Sequence, residues 1–152
     1  DLVTKKIMNN YEKFLIPEDI IEAEDFSIYS KSKIVDVSDI SDNGIIMDIG
    51  PSTIENYTSI INQSDSIIWN GSMGVFEWPA FEKGTKEIAL SLANNHSAKK
   101  YAGGGSTIEA INKFQLQNAF THISSGGGAF LAALEGEYLP GIKPLLVGEN
   151  ER

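Results

Sequence analysis

The chain of 152 residues contains no cysteine and few basic residues. Without cysteine it can form no disulfide and offers no thiolate to a metal, which fits a location in the reducing cytoplasm. Its 12 lysine and arginine residues stand against 21 aspartate and glutamate residues, for a net charge of −9. Nucleic-acid binding requires a basic patch, so this balance argues against a nucleic-acid partner.

Long apolar runs are lacking too. No run approaches the ~20 residues that a membrane span requires, and no basic-then-apolar leader opens the chain, so we expect no membrane association. Three familiar signatures are also missing, namely the P-loop, the dinucleotide-binding glycine motif and the hydrolase nucleophile elbow. The apolar content of 41% is ordinary for a globular protein, and the length suits one domain.

Glycine, by contrast, is concentrated in three clusters, each of which follows a short apolar run. They are residues 69–74 (WNGSMG), 103–107 (GGGST) and 124–129 (SSGGGA). The second and third precede patterns typical of helices. A strand that ends in glycines and leads into a helix makes an anion site, because the first-turn amides have no helical acceptor and the helix dipole is positive there.

Apolar patterning divides the chain into short strands and amphipathic helices. We predict strands at 19–23, 33–37, 44–48, 66–69, 100–102 and 120–123. We predict helices at 1–14, after Ser52, at 81–94, after Ser106 and at 128–134. The pairs Ser52/Glu55 and Ser106/Glu109 have the spacing of capping boxes.

The repeated order of strand, turn and helix predicts an α/β fold. We expect a three-layer, Rossmann-like parallel sheet with helices on both faces, because short uninterrupted apolar strands are typical of sheets covered on both sides. Ligands of such sheets bind at the carboxyl ends of the strands. All three glycine clusters lie at such ends and are predicted to line one crevice.

Each cluster has a functional and a plainer interpretation. Residues 103–107 can hold a diphosphate, or can form a tight turn in which Ser106 caps the helix. Residues 126–128 can present amides to charge that develops in a transition state, or can allow close packing of strand and helix. In the first cluster Asn70 can bond a base or phosphate and Glu77 a ribose, or the segment is a surface loop. Asp48, at another strand end, is a metal ligand or, more in keeping with its place, a helix cap.

Taken together, several stretches resemble the phosphoglycerate kinase family in order and spacing, over residues 14–146. They are residues 48–51, 69–77, 81–85, 103–107, 122–129, 134–136 and 139–141. The resemblance covers only the later part of the family's C-terminal, nucleotide-binding domain. It implies that residues 1–152 form an incomplete C-terminal domain of a two-domain kinase. The N-terminal domain and the early C-terminal segment, with their basic residues, are then expected to be absent from this chain, which is predicted to be inactive alone.

The resemblance also implies roles for particular residues. It places Asn70, Gly71 and Val75 in the nucleotide cleft and Glu77 on the ribose. It assigns the phosphates to Gly104, Gly105, Ser106 and Thr107, and the phosphoryl group in transfer to Gly126, Gly127 and Gly128. Ser106 stands where the family has an aspartate that helps to hold magnesium, so the metal ligands of this chain are left open.

The implied activity is reversible phosphoryl transfer between 1,3-bisphosphoglycerate with ADP and 3-phosphoglycerate with ATP, in glycolysis. ATP or ADP with Mg²⁺ and 3-phosphoglycerate are the implied ligands, and the implied enzyme is a cytoplasmic monomer. The alternative is a divergent, non-catalytic nucleotide-binding module, which the serine at position 106 keeps open. An oxidoreductase that uses a nicotinamide cofactor has only the general α/β pattern in its favour.

Overall fold

A computed structural model describes residues 5–6, 9–136 and 139 of the chain. The strands are β1 (Asp19–Ala23), β2 (Ser32–Asp36), β3 (Ile45–Ile49), β4 (Ser66–Asn70), β5 (Lys99–Gly103) and β6 (His122–Ser124). The helices are α1 (Pro51–Asn62), α2 (Lys83–Asn94), α3 (Gly105–Lys113) and α4 (Gly127–Leu134). None of the helices in the described ranges is long and apolar enough to cross a membrane.

Strands β4, β5 and β6 form a parallel sheet in that order, as predicted. Trp69 and Ala102 pair in register and therefore lie side by side on one face. That face packs against α1, α2 and α3 through a buried cluster that includes Ile88 and Ile111. The next residue of β5, Gly103, faces the other way and lies under the ring of Phe130 in α4. Helices therefore cover both faces of the sheet.

Strand β3 does not extend the parallel sheet, which corrects one part of the prediction. It pairs antiparallel with β1, and β1 pairs antiparallel with β2, so that residues 19–49 form a second sheet of order β2-β1-β3. A register shift interrupts the β1–β3 ladder between Ile21 and Glu22. The short apolar run at residues 45–47 indicates a buried strand but not its partner. Here β1 supplies that partner, from outside the strand–turn–helix repeat.

The predicted capping boxes are also wrong. Helix α1 begins after Gly50 and helix α3 after Gly104, and neither Ser52 nor Ser106 makes a side-chain capping bond. At α1 the cap comes from the second sheet, because the Asp19 carboxylate accepts hydrogen bonds from the amides of Ser52 at 3.0 Å and Thr53 at 2.8 Å. A carboxylate from a neighbouring strand thus replaces the local serine.

Two predicted segments lie wholly or partly outside the described residues. Of the predicted helix at 1–14, residues 1–4 and 7–8 lie outside, and its described end contains a 3-10 turn at Tyr11–Lys13. The turn predicted at 139–141 falls outside except for Leu139. The remaining predicted helices and strands are confirmed within about two residues at their ends.

Candidate functional site

The three glycine turns meet at one edge of the parallel sheet. In register, Asn70, Gly103 and Ser124 occupy neighbouring positions at the carboxyl ends of β4, β5 and β6. A Cβ atom at Gly104 would lie 3.2 Å from Oδ1 of Asn70. A Cβ atom at Gly127 would lie 2.9 Å from the Cα of Gly104. The close approach of the second and third turns therefore requires glycine at position 127.

Helices α3 and α4 both begin at this edge without a cap. The first helical bond of α3 runs from Ile108 to the Gly104 carbonyl, and that of α4 runs from Phe130 to the Gly126 carbonyl. No hydrogen bond of the described residues engages the three amides before each of these, and no side chain caps either helix. We call these first turns, residues 105–107 and 127–129, the uncapped helix starts. Their amides are free donors at the positive ends of two helices.

The other two helices begin differently. Asp19 occupies the first-turn amides of α1, and the buried carboxylate of Asp48 accepts from the amide of Gly84 at 2.7 Å at the start of α2. Of the two roles considered for Asp48, the structure supports the cap. Two helix starts are thus neutralised by carboxylates, whereas the two at the glycine-rich edge are not. An anion that approaches this edge meets donors and no protein carboxylate bound to them.

Space for a ligand exists beside the uncapped helix starts. Among the described residues, Cβ atoms built on Gly105 and Gly128 would meet no atom within 4 Å, and one on Gly126 would meet only Ala129 at 3.6 Å. Gly104, which precedes α3, has φ of 95°, a left-handed conformation that glycine adopts without strain. The predicted phosphate-binding and catalytic glycines are therefore brought together at an open surface.

Thr107 has a position that the sequence did not indicate. Its side chain is fully buried, and its Oγ1 accepts a hydrogen bond of 2.7 Å from the amide of Gly71. Gly71 is the first residue after β4, and the indole of Trp69 donates to the Gly71 carbonyl at 2.7 Å. The hydroxyl of Thr107 therefore holds the turn after β4 against the start of α3, in addition to any contact with a ligand.

Val75 and Glu77 lie farther along the loop that follows β4. They line an open pocket of about 460 Å³ together with Phe26 and Trp78, whose rings are 4.8 Å apart. The amide of Val75 donates to the carbonyl of Met47 at 2.8 Å, whereas Glu77 is exposed. The candidate residues thus form two groups: Asn70 and Gly71 with the glycine turns, and Val75 with Glu77 in this neighbouring pocket.

The residues at the edge do not fit a magnesium ion held by the protein. Ser106 is exposed at the start of α3 and contributes a neutral hydroxyl. Magnesium sites of kinases use one or two carboxylates together with the substrate phosphates. Within the described ranges, no group of three or more histidine, aspartate or glutamate side chains could hold a metal.

Two residues that shape the loop after β4 were given no role from the sequence. The hydroxyl of Thr85, fully buried in α2, accepts from the amides of Met73 at 3.1 Å and Gly74 at 3.3 Å. Lys113, the last residue of α3, donates to the carbonyl of Phe76. Threonine and lysine inside amphipathic helices carry no local signal for such long-range contacts, so no sequence pattern would have revealed them.

Comparison with known proteins was made against family models, curated sequences and solved structures. Residues 2–137 match the family model described as phosphoglycerate kinase. The phosphoglycerate kinase of Leptospira biflexa is 48% identical over 136 residues, and that of Buchnera aphidicola is 42% identical over 144 residues. These matches cover 90% and 95% of this chain, and 34% and 37% of the two relatives.

Solved structures agree. The phosphoglycerate kinase of Coxiella burnetii superposes with a TM-score of 0.87 at 36% identity, covering 94% of this chain and 37% of that one. That of Pyrococcus horikoshii OT3 superposes with a TM-score of 0.81 at 31% identity, covering 97% of this chain and 36% of that one. The chain spans about a third of the length of the relatives that it matches. With residues 2–137 matched by the family model, the chain belongs to the phosphoglycerate kinase family.

Proposed function

We propose that this chain forms the nucleotide-binding part of a phosphoglycerate kinase. The complete enzyme would transfer a phosphoryl group reversibly between 1,3-bisphosphoglycerate and ADP, with the carboxyl group of 3-phosphoglycerate as acceptor in the reverse direction. One observation carries the proposal: the two uncapped helix starts lie at the same edge of the sheet, whereas both other helices are capped by aspartates. Phosphoryl transfer depends on such preorganised donors more than on covalent chemistry by the protein.

The arrangement supports different roles for the two uncapped helix starts at the edge of the sheet. The amides of Gly105, Ser106 and Thr107 would hold the nucleotide diphosphate, with Gly104 allowing its close approach. Those of Gly127 and Gly128, after Gly126, would face the phosphoryl group in transfer. The remaining nucleotide contacts would come from two pairs of residues. Asn70 and Gly71 would lie beside the phosphates, and Val75 and Glu77 would lie around the nucleoside. Both groups lie at the end of β4 or on the loop that follows it, so one segment would connect phosphate and ribose binding.

Positive charge and metal would come from outside this chain. Neither uncapped helix start contains lysine or arginine, and the net charge is −9. We propose that the basic residues which bind 3-phosphoglycerate belong to the rest of the enzyme, and that Mg²⁺ arrives bound to the nucleotide phosphates. The chain alone would then bind nucleotide weakly and show no turnover. We place the complete enzyme in the cytoplasm as a monomer that acts in glycolysis.

A proline substitution tests the role of the α3 start. Gly105 is the first residue of α3, a position that tolerates proline, and a Cβ there meets no atom of the described part of the chain within 4 Å. Gly105→Pro therefore deletes one amide donor without disturbing the helix. We expect roughly tenfold weaker binding of ADP and of pyrophosphate, because hydrogen bonds to charged groups are the strong ones. Isothermal titration calorimetry with the 152-residue chain measures both affinities.

Gly105→Ala is the matched control, because it adds a side chain but keeps the amide. It should bind both ligands within about twofold of the wild type. The role of the metal is tested by titrating ADP with and without Mg²⁺ into the wild type and into a Ser106→Asp variant. A carboxylate at this position should make ADP affinity depend on Mg²⁺. If the wild-type chain bound neither ADP nor pyrophosphate, the proposed function would be wrong.

Turnover is tested in a chimera. The part of the Leptospira biflexa enzyme that precedes the matched region would be joined to this chain, which is 48% identical to that relative over the shared residues. We expect the chimera to turn over 3-phosphoglycerate and ATP, and the chain alone to show no turnover. Absence of activity in a folded chimera that binds 3-phosphoglycerate would contradict the proposal.

A further inference from the structure

Lys113 lies where helix α3 ends and the loop after β4 passes. Its ammonium group is 2.7 Å from a carboxylate oxygen of Glu82 and donates a hydrogen bond to the carbonyl of Phe76. The same group is 5.9 Å from the centre of the Phe76 ring and 5.8 Å from that of Phe114. Lys113 therefore connects α3, the residue before α2 and the loop through one charged group.

The hydrogen bond from Lys113 to the Phe76 carbonyl acts on Glu77 through the backbone. The Phe76 carbonyl belongs to the planar peptide unit that joins Phe76 to Glu77, so fixing that oxygen fixes the orientation of the following backbone. Phe76 itself is 2% exposed and packs in the main core. Glu77 is exposed, and its carboxylate makes no hydrogen bond to the described residues, so its direction depends on this backbone.

Lys113 is in the wrong place to bind the phosphates. It is the last residue of α3, and the uncapped start of α3 at Gly105 lies about 12 Å away along the helix axis at the usual rise per residue. Its charge is also matched by Glu82, to which it donates at 2.7 Å. Its contribution to a bound nucleotide must therefore differ from that of a phosphate-binding lysine.

We infer that Lys113 is a positioning residue that holds Glu77 for the nucleoside part of a bound nucleotide, through its contacts with Phe76 and Glu82. This inference rests on the proposed function. Lys113 touches no ligand and acts only through the peptide unit before Glu77. It sets selectivity for a nucleotide over its bare diphosphate, because the pocket of Val75 and Glu77 is separate from the glycine turns.

Lys113→Met tests the inference, since methionine keeps much of the apolar stem and loses the charge and the donor. We expect ADP to bind about fivefold to tenfold more weakly and pyrophosphate to bind as to the wild type, because only the nucleoside contact is disturbed. Lys113→Arg, which can still donate to a carbonyl and pair with Glu82, should recover most of the ADP affinity. Calorimetric titration of the 152-residue chain with both ligands gives the comparison.

Lys86→Met is the matched control. Lys86 also lies near Glu82, at 3.8 Å, but makes no hydrogen bond to the loop in the described structure. It should leave both affinities unchanged. A Glu77→Gln variant should lose ADP affinity, and adding Lys113→Met to it should cause no further loss, because both changes remove one contact.

The possible outcomes separate the two proposals. Equal weakening of ADP and pyrophosphate by Lys113→Met would mean a general structural role and would overturn the inference. Unchanged ADP affinity in that variant would overturn it as well, and both results would leave the proposed function standing. If the wild-type chain bound neither ligand, the proposed function would fail and the inference would fail with it.

Discussion

Asp48 is a buried carboxylate whose ionisation affects stability. Its side chain is 1% exposed, and burial raises its pKa to about 6, although the amides of Gly84 and Ile49 donate to it. The carboxyl group of the unfolded chain titrates near its ordinary value of 3.8. Between these values the folded protein retains a proton that the unfolded chain has lost, so the free energy of unfolding falls as pH rises from about 4 to about 6.

Asp48→Asn should remove this part of the pH dependence. Relative to the wild type, the variant should gain stability as pH rises through that interval and keep a constant difference above it. Urea unfolding followed by tryptophan fluorescence from about pH 4.5 to 7.5 measures the difference at each pH. Asp36→Asn is the control, because Ser38 lowers the pKa of that exposed carboxylate, and its difference should stay flat in this range. Parallel curves for Asp48→Asn and the wild type would contradict the assignment.

For single residues, the sequence predicted the place of the glycines at the candidate site better than the contacts of the residues around them. Consecutive glycines before a helix have few uses, so the turns at 103–107 and 126–128 could be predicted as anion sites. Thr107 was predicted among the phosphate-binding residues, and no sequence pattern indicated that its hydroxyl accepts a hydrogen bond from Gly71. Lys113 could not be predicted, because its partners Phe76 and Glu82 lie more than thirty positions away.

Among the secondary-structure elements, helix α1 is capped by Asp19, which lies on β1 of the second sheet. Burial acts to raise the pKa of Asp19, but hydrogen bonds from Thr53 and Ser52 outweigh it and hold the pKa below its ordinary value. Asp19→Ala leaves those two amides without an acceptor and should lower the free energy of unfolding by roughly 1 to 2 kcal/mol, as the loss of a helix cap does.

Ser106→Ala provides the comparison for that measurement. Ser106 has the capping-box spacing to Glu109 but makes no capping bond, so its removal should change stability by less than about 0.5 kcal/mol. Chemical denaturation of both variants at neutral pH gives the two values. A larger loss for Ser106→Ala than for Asp19→Ala would mean that the local serine, rather than the aspartate on β1, stabilises a helix start.

The contrast shows why helix positions were easier to predict than helix caps. Apolar spacing at Ile54, Tyr57 and Ile61 directs one side of α1 into the core, and that spacing is local. The cap depends on β1 lying beside Gly50, which is a tertiary contact and has no local sequence pattern. The same limit applies to β3, whose apolar run was predicted correctly while its antiparallel partner was not.

On the scale of the whole molecule, β4 is an open edge of the parallel sheet. Within the described ranges it pairs only with β5, and Ile68 on this strand is 51% exposed. A groove of about 280 Å³ beside the strand is lined by apolar side chains that include Leu15 and Ile60. Open edges with apolar surface favour pairing between chains, so we expect the 152-residue chain to self-associate.

Ile68→Lys should reduce that self-association, because a charge on an edge strand opposes pairing. Leu134→Lys is the control, since Leu134 is 48% exposed but lies at the end of helix α4 rather than on a strand edge. Sedimentation velocity over a range of concentrations compares the variants with the wild type. A wild-type chain that sediments as a single monomeric species and melts cooperatively would contradict the expectation.

The α/β class and the parallel sheet were predictable because the strand–turn–helix order is a local pattern that repeats along the chain. The division into two sheets was not, since the apolar run of β3 precedes a helix just as that of β4 does, and only its pairing with β1 places it in another sheet. Resemblance to the family added a prediction that patterning could not make, namely which glycine turn would face which part of a nucleotide.

The uncapped helix starts carry their positive potential in peptide groups, and this has a consequence for the cell. Peptide amides have no proton that ionises near neutrality and no amine for acetylation. The charge on these donors would therefore be the same when the pH falls and when lysine side chains are modified. Side-chain replacements nearby would leave that charge in place, provided that Gly104 and Gly127 still let the two turns touch.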